Sequence, residues 1–299
     1  MNETHRALTR RTFLSATASG LLLAACSSGD DSTDASAGDA ALDPELRLLE
    51  FRFPDGLRAP SIFAAGEALR APLVLIESDG FPVRVGEPSS IDVTVTVDGE
   101  VAFDGPVSSS RSGLSSPYYA LSFTPDRVGT YVVESEWSPT PREFLVVDPS
   151  EVRAARVGQT MPALETATVA DTKGIDPLCS RPAGVCQFHD ITLAEALATG
   201  GPVAFLISTP QFCLTDVCGP VLEQMIEAEP DFPDITIVHS EVYVRPAENF
   251  ADLTEPLTAL GLDFEPSLYL VGADGVIEDV LHFAFDRDEI RDALTALSA

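Results

Sequence analysis

Residues 203–225 do most to limit what this chain can become. Val203 to Ser208 is a short apolar run, long enough for a buried strand and too short for a core helix. A turn carrying Cys213 and Cys218 follows, and Gly219-Pro220 opens a helix, since proline in the first turn gives up only an N–H that has no helical partner there. Cysteines between a strand end and a helix start sit where the helix dipole can stabilise a thiolate, so the pair is a candidate redox dithiol. A structural staple would use the same two residues.

Around this stretch, beyond a boundary at Pro149 to Arg156, helical and strand patterns alternate. Thr192-Leu193-Ala194-Glu195 fits a capping box and starts a helix to Ala198, which Gly200-Gly201 stop. Val221 to Glu229 is a helix ended by Pro230, Ile235 to Val242 a strand, and Leu253 to Leu260 a helical stretch interrupted by Pro256. Leu268 to Val271 and Val276 to Phe283 flank the turn Ala273-Asp274-Gly275, and Asp286 caps a last helix to Leu297. This order predicts a small mixed sheet with helices on both faces over residues 152–299.

Residues 45–149 carry only β signals. Ile91 to Val97 alternates strictly, which puts Ile91, Val93, Val95 and Val97 on one buried face, and Asp98-Gly99 turns the chain into Val101 to Phe103. Further strands are predicted at Leu46 to Phe53, Leu69 to Ile76, Tyr118 to Phe123, Thr130 to Trp137 and Glu143 to Val147. Seven short strands separated by Pro, Gly and Asp suit a β-sandwich. Asp126-Arg127-Val128-Gly129-Thr130-Tyr131 resembles the corner motif of immunoglobulin-like domains, in which a tyrosine hydroxyl bonds back to the backbone. This half has no histidine and no cysteine, which points to a spacer or partner-binding module.

The first 26 residues read as a processing signal. Thr9-Arg10-Arg11-Thr12-Phe13-Leu14 resembles a twin-arginine export motif, and the apolar run behind it ends Leu23-Ala24-Ala25-Cys26, which resembles a lipobox and makes Cys26 the expected lipidation site. The run from Phe13 to Ala25 is too short to span a bilayer. Residues 27–44 are small, polar and acidic, the composition of a flexible tether. The expected location is therefore the extracytoplasmic face of a cell membrane, with lipid as the anchor. A net charge of −29 disfavours nucleic acid and anionic headgroups as partners.

The element order of residues 152–299, with a cysteine pair after the first strand, resembles the thioredoxin superfamily, especially its membrane-tethered extracytoplasmic members. Cys218-Gly219-Pro220 and Glu265-Pro266-Ser267 carry the resemblance, and Val157-Gly158-Gln159-Thr160-Met161-Pro162 is similar to the leading segment of the peroxiredoxin-like branch. The resemblance implies a cis Pro266 facing the dithiol. The expected fold class is an immunoglobulin-like sandwich followed by an α/β thioredoxin-like fold. This sequence departs from the family in spacing, with Leu214-Thr215-Asp216-Val217 between the cysteines where two residues are usual.

The implied function is extracytoplasmic thiol-disulfide exchange, with no cofactor, between a disulfide-containing client and a membrane or extracytoplasmic thiol partner. Cys213, further from the helix body, is either the attacking thiol or the resolving partner of Cys218. Asp216 and Glu265 are placed to raise thiol pKa values, which suits a reductant or slow exchanger better than a strong oxidant. The wide spacing also resembles a copper-handling branch, and a Cu(I) site would have to combine Cys213 and Cys218 with His239. A third reading is a non-catalytic interaction lipoprotein with structural disulfides. Four cysteines besides Cys26 allow three connectivities, among which sequence alone does not choose; 179 to 186 with 213 to 218 is the simplest, with Cys179 and Cys186 read as a structural disulfide or as a relay pair passing electrons to Cys213 and Cys218. His189 is assigned to a loop or capping contact and His282 to a structural role.

Overall fold

The computed structural model describes residues 47–48, 61–77, 82–138, 140–213 and 216–299. The leader with Cys26, the tether, most of the strand expected at Leu46 to Phe53, and Leu214 and Thr215 lie outside the described residues. Residues 41–299 form one compact unit by contact. Among the described residues no helix is long and apolar enough to cross a membrane.

The first half holds β1 (Arg47–Leu48), β2 (Ile62–Ala64), β3 (Leu69–Leu73), β4 (Leu75–Ile76), β5 (Ser90–Val97), β6 (Glu100–Ser110), β7 (Tyr118–Phe123), β8 (Gly129–Glu134) and β9 (Arg142–Val147). Ile91, Val93, Val95 and Val97 of β5 are all buried, because a strand whose side chains alternate in polarity is stable only with its apolar face covered. Asp98 and Gly99 both take positive φ, 52° and 79°, the geometry that a two-residue turn between twisted strands requires. The Tyr131 hydroxyl donates to the Arg127 carbonyl at 3.0 Å, the bond that the corner motif implies.

Seven of these strands are hydrogen-bonded into one sheet of order β2-β9-β8-β5-β6-β7-β3. The eleven-residue β6 carries the sheet around, pairing β5 along its length and β7 through Ser109 and Ser110 at its end. Residues from β3 at one edge and β9 next to the other share a single core with β5 and β8, so the sheet curls on itself like a nearly closed barrel.

The second half continues with α1 (Leu193–Ala198), β10 (Val203–Ile207), α2 (Cys218–Ala228), β11 (Thr236–Ser240), β12 (Tyr243–Arg245), β13 (Asn249–Leu253), α3 (Glu255–Ala259), β14 (Ser267–Val271), β15 (Ile277–His282) and α4 (Arg287–Leu297). Thr192 and Glu195 close the capping box at α1, and the Asp286 carboxylate accepts from the Asp288 and Glu289 N–H groups at the start of α4. Strands β11-β10-β14-β15 form a four-stranded sheet in which β10 and β11 are parallel and the other pairs antiparallel.

These observations correct the expected fold class. The seven strands make one curled sheet rather than the two facing sheets of a separate sandwich. The described residues are mostly β, with fifteen strands against four α-helices, two of which have only six and five residues, so the helical layers that an α/β thioredoxin-like fold places on its sheet are not clearly built. The local reason is visible in the chain. Gly200 takes φ +74° directly after α1, Pro256 sits in the first turn of a very short α3, and the chain before α3 enters a β12-β13 hairpin that the periodicity did not announce.

The curled sheet and the second half meet along a partly buried seam. Arg70 of β3 binds both carboxylate oxygens of Glu289 in α4, at 2.8 and 2.7 Å. The Ser112 N–H donates to Asp286 at 2.8 Å, and the Ser112 carbonyl accepts from the Arg287 N–H at 3.0 Å. Beside it Gly113 takes φ +77°, a backbone conformation that favours glycine, and a Cβ there would displace the end of the Gln224 side chain.

Candidate functional site

Strand β10 is buried at every position, and the loop at its C-terminal end carries Cys213. The Phe212 and Cys213 N–H groups both donate to the Thr209 carbonyl, at 3.2 and 3.0 Å, which folds the chain into a tight turn before Cys218 opens α2. Strand β14 pairs with β10 so that Ser267 lies opposite Ile207. That register brings Glu265 and Pro266, just ahead of Ser267, to the same end of the sheet as the cysteine loop. The Glu265–Pro266 peptide is cis.

The outcome is a three-residue cluster. The sulfurs of Cys213 and Cys218 and a carboxylate oxygen of Glu265 all lie within 4.8 Å of one another. Cys213 is partly exposed, whereas Cys218 and Glu265 are buried. Burial pushes the Cys218 thiol well above its ordinary range, and the hydrogen bond and charge of Cys213 and the charge of Glu265 push the same way. The start of α2 therefore does not give a thiolate at Cys218, because removal from water outweighs the helix dipole. Asp216 faces outward at φ 57° and pairs with Arg84 at 3.3 Å, so the carboxylate that acts on the buried thiol is Glu265.

On the other flank of β10, parallel β11 sets His239 opposite Leu206. Here a second cluster forms, with donor atoms of Cys179, Cys186, His189 and His239 all within 4.8 Å of one another and all four residues buried. His239 Nδ1 lies 3.0 Å from His189 Nε2, 3.7 Å from Cys186 Sγ and 4.0 Å from Cys179 Sγ. The Glu241 carboxylate accepts from the Ser180 N–H, and Arg181 pairs with Glu223 of α2 at 2.6 Å, so the cysteine loop is fastened on two sides. Cys186 is pushed up by its hydrogen bond to Cys179, by burial and by the charge of Cys179. Cys179 is pulled down by the Cys186 hydrogen bond and, against burial, by both imidazoles. The two thiols thus titrate as a pair, one proton leaving more easily than the other.

These positions regroup the residues singled out from sequence. The set Cys213, Cys218 and His239 considered for Cu(I) is not the one the fold brings together, because β11 lies on the side of β10 away from β14 and gives His239 to Cys179 and Cys186. No disulfide joins the four described cysteines, neither 179–186 nor 213–218. His189, assigned to a loop contact, is a full member of the second cluster. The signal for it was present as Cys179-x6-Cys186-x2-His189, three donors within eleven residues. His282 pairs with Ser267 along the other edge of β14, at the same end of the sheet as Glu265 and Pro266, with Nδ1 3.0 Å from Ser267 Oγ, and burial followed by the charge of Arg70 pushes its pKa down to about 3.

No family model matches the chain, and no curated protein matches it. Among solved structures it is similar to a metagenome-derived glycoside hydrolase family 9 endoglucanase, at 16% identity and a TM-score of 0.24, over 34% of this chain and 18% of that one. A likeness of that size carries no argument about activity.

Proposed function

We propose that the chain is a thiol-disulfide oxidoreductase working through Cys213 and Cys218, held by lipid on Cys26 at the extracytoplasmic face of a membrane. One observation carries the reading. A partly exposed thiol stands against a fully buried one, with a buried carboxylate in reach of both sulfurs. The exposed sulfur can meet a partner, and the buried one can react only with its neighbour. The motif resemblance to the thioredoxin superfamily and the leader sequence support the same reading.

In the forward direction the Cys213 thiolate attacks a client disulfide, forming a mixed disulfide and releasing one client sulfur as a thiolate that takes up a proton. Cys218 then gives its proton to Glu265 and attacks the Cys213 sulfur. The 213–218 disulfide forms, the second client sulfur leaves, and two electrons have passed from the dithiol to the client. A membrane or extracytoplasmic thiol partner restores the dithiol by the reverse exchange. With Cys218 costly to ionise, the second step is slow near neutral pH, which suits a selective reductant.

The test is the reduction potential of the pair in the intact chain, with Cys218→Ser to trap clients. The expected results are a potential above about −300 mV and a mixed disulfide on Cys213 in the variant. A potential below that value, typical of inert bridges, together with no trapped client, would remove the proposal.

A further inference from the structure

The cluster on the other flank of β10 takes no part in that exchange. We infer that Cys179, Cys186, His189 and His239 form a closed tetrahedral binding site for a divalent d10 cation of the zinc class. The four donors come from two places, a loop holding Cys179, Cys186 and His189 and strand β11 holding His239, so an ion there would fasten one to the other.

Distances come first. Two sulfurs at about 2.3 Å and two nitrogens at about 2.0 Å from a tetrahedral zinc stand about 3.3 to 3.8 Å from each other. The separations measured from His239 Nδ1 are 3.0 Å to nitrogen and 3.7 and 4.0 Å to sulfur. Small shifts of the side chains would therefore suffice to enclose an ion.

Orientation of the donors agrees. His239 Nε2 donates its proton to the Ser208 carbonyl at 3.1 Å and lies 3.0 Å from the Ser208 hydroxyl, which fixes the tautomer with a bare lone pair on Nδ1. A metal-ligating histidine characteristically gives its other N–H to such a carbonyl. That lone pair points at both sulfurs and at His189 Nε2. Among the described residues His189 Nδ1, also buried, has no hydrogen-bond partner, and the ring meets the cluster through Nε2, 3.0 Å from His239 Nδ1.

Charge and burial then select the ion. All four residues are buried, and an ionised group left unpaired in such a place is costly. Two thiolates, two neutral imidazoles and one divalent cation sum to zero. Four protein donors also leave no open position, which marks a structural rather than a catalytic site.

The competing reading, a Cys179–Cys186 disulfide beside a hydrogen-bonded histidine pair, predicts no metal and no accessible thiols at these positions. The full chain, purified reduced, is titrated with zinc alone, and the loaded protein is studied by X-ray absorption at the zinc edge. The expected result is one zinc per chain in a shell of two sulfurs and two nitrogens. Zinc affinity should fall at least about 100-fold in Cys179→Ser and in His239→Asn, and stay unchanged in Cys213→Ser and Cys218→Ser. The wild-type spectrum decides the matter even if a variant fails to fold. No uptake at one equivalent, a shell with fewer than two sulfurs, or loss of zinc only in the Cys213 and Cys218 variants would overturn the assignment.

Discussion

The Ser180 hydroxyl accepts a 3.1 Å hydrogen bond from the backbone N–H of Gln211, which fastens the residue after Cys179 to the turn that leads into Cys213. Ser180 also gives its own N–H to the buried Glu241, so one residue spans both cysteine clusters. Ser180→Ala keeps the second bond and removes the first. The expected cost is about 1 kcal/mol in urea unfolding, with faster alkylation of Cys213 as its turn loosens. Unchanged stability and unchanged Cys213 alkylation would show that the link restrains nothing.

Glu265 is the carboxylate whose charge, with that of Cys213, acts on the buried thiol. In Glu265→Gln the shape is kept and the charge removed, so Cys218 loses one of the influences that raise its pKa while burial, the larger one, remains. The pH profile for closing the 213–218 disulfide is expected to move to lower pH, although Cys218 stays harder to ionise than an ordinary thiol. If Glu265 also takes the Cys218 proton in the exchange, the maximal rate falls even as the profile shifts. A profile that does not move would separate Glu265 from the dithiol altogether.

The seam between the two halves hangs on Arg70. Its guanidinium holds both oxygens of Glu289 and also reaches the Ala284 carbonyl at 2.6 Å and the His282 carbonyl at 3.2 Å, while the Tyr118 hydroxyl donates to the same Glu289. Arg70→Ala strands the carboxylate. With the two side chains 16% and 27% exposed, solvent screens part of the penalty, and a loss of roughly 2 to 3 kcal/mol is expected. The double change Arg70→Met with Glu289→Leu should recover a good part of it, which a double-mutant cycle on unfolding free energies measures.

Strand positions were legible where alternation or an unbroken apolar run forced them. β5, β7 and β10 fall where their patterns place them, and the α1 and α4 caps sit on Thr192 and Asp286. What was not legible depends on pairing. Nothing in the sequence states that the long β6 joins seven strands into one curled sheet, since which edges meet is set by register and twist rather than by composition. The same holds for the sites. Glu265 and Pro266 reach the cysteine loop because β14 runs antiparallel to β10, and His239 leaves it because β11 runs parallel on the other side. His239 is fifty residues from His189 in sequence, so only the fold could bring the two rings to 3.0 Å.

His282 makes a pH dependence that can be isolated. Its pKa is pushed from 6.5 down to about 3, by burial first and by Arg70 second, so the folded state keeps the ring neutral where the unfolded chain would protonate it. Between those values the unfolded state binds more protons, and the unfolding free energy must therefore rise with pH, by up to about 1.4 kcal/mol per unit. This contribution is fully present above about pH 6.5 and is lost as the pH falls towards 3. Carboxylates titrate over part of the same window, but they do so in a variant as well. His282→Gln offers the Ser267 hydroxyl a neutral partner with no proton to gain, so the difference between the two unfolding curves carries the histidine alone. That difference should grow in the variant's favour on acidification from about pH 7 to about pH 4 in urea titrations. Parallel curves across that range would mean that His282 is protonated as easily in the folded chain as in the unfolded one.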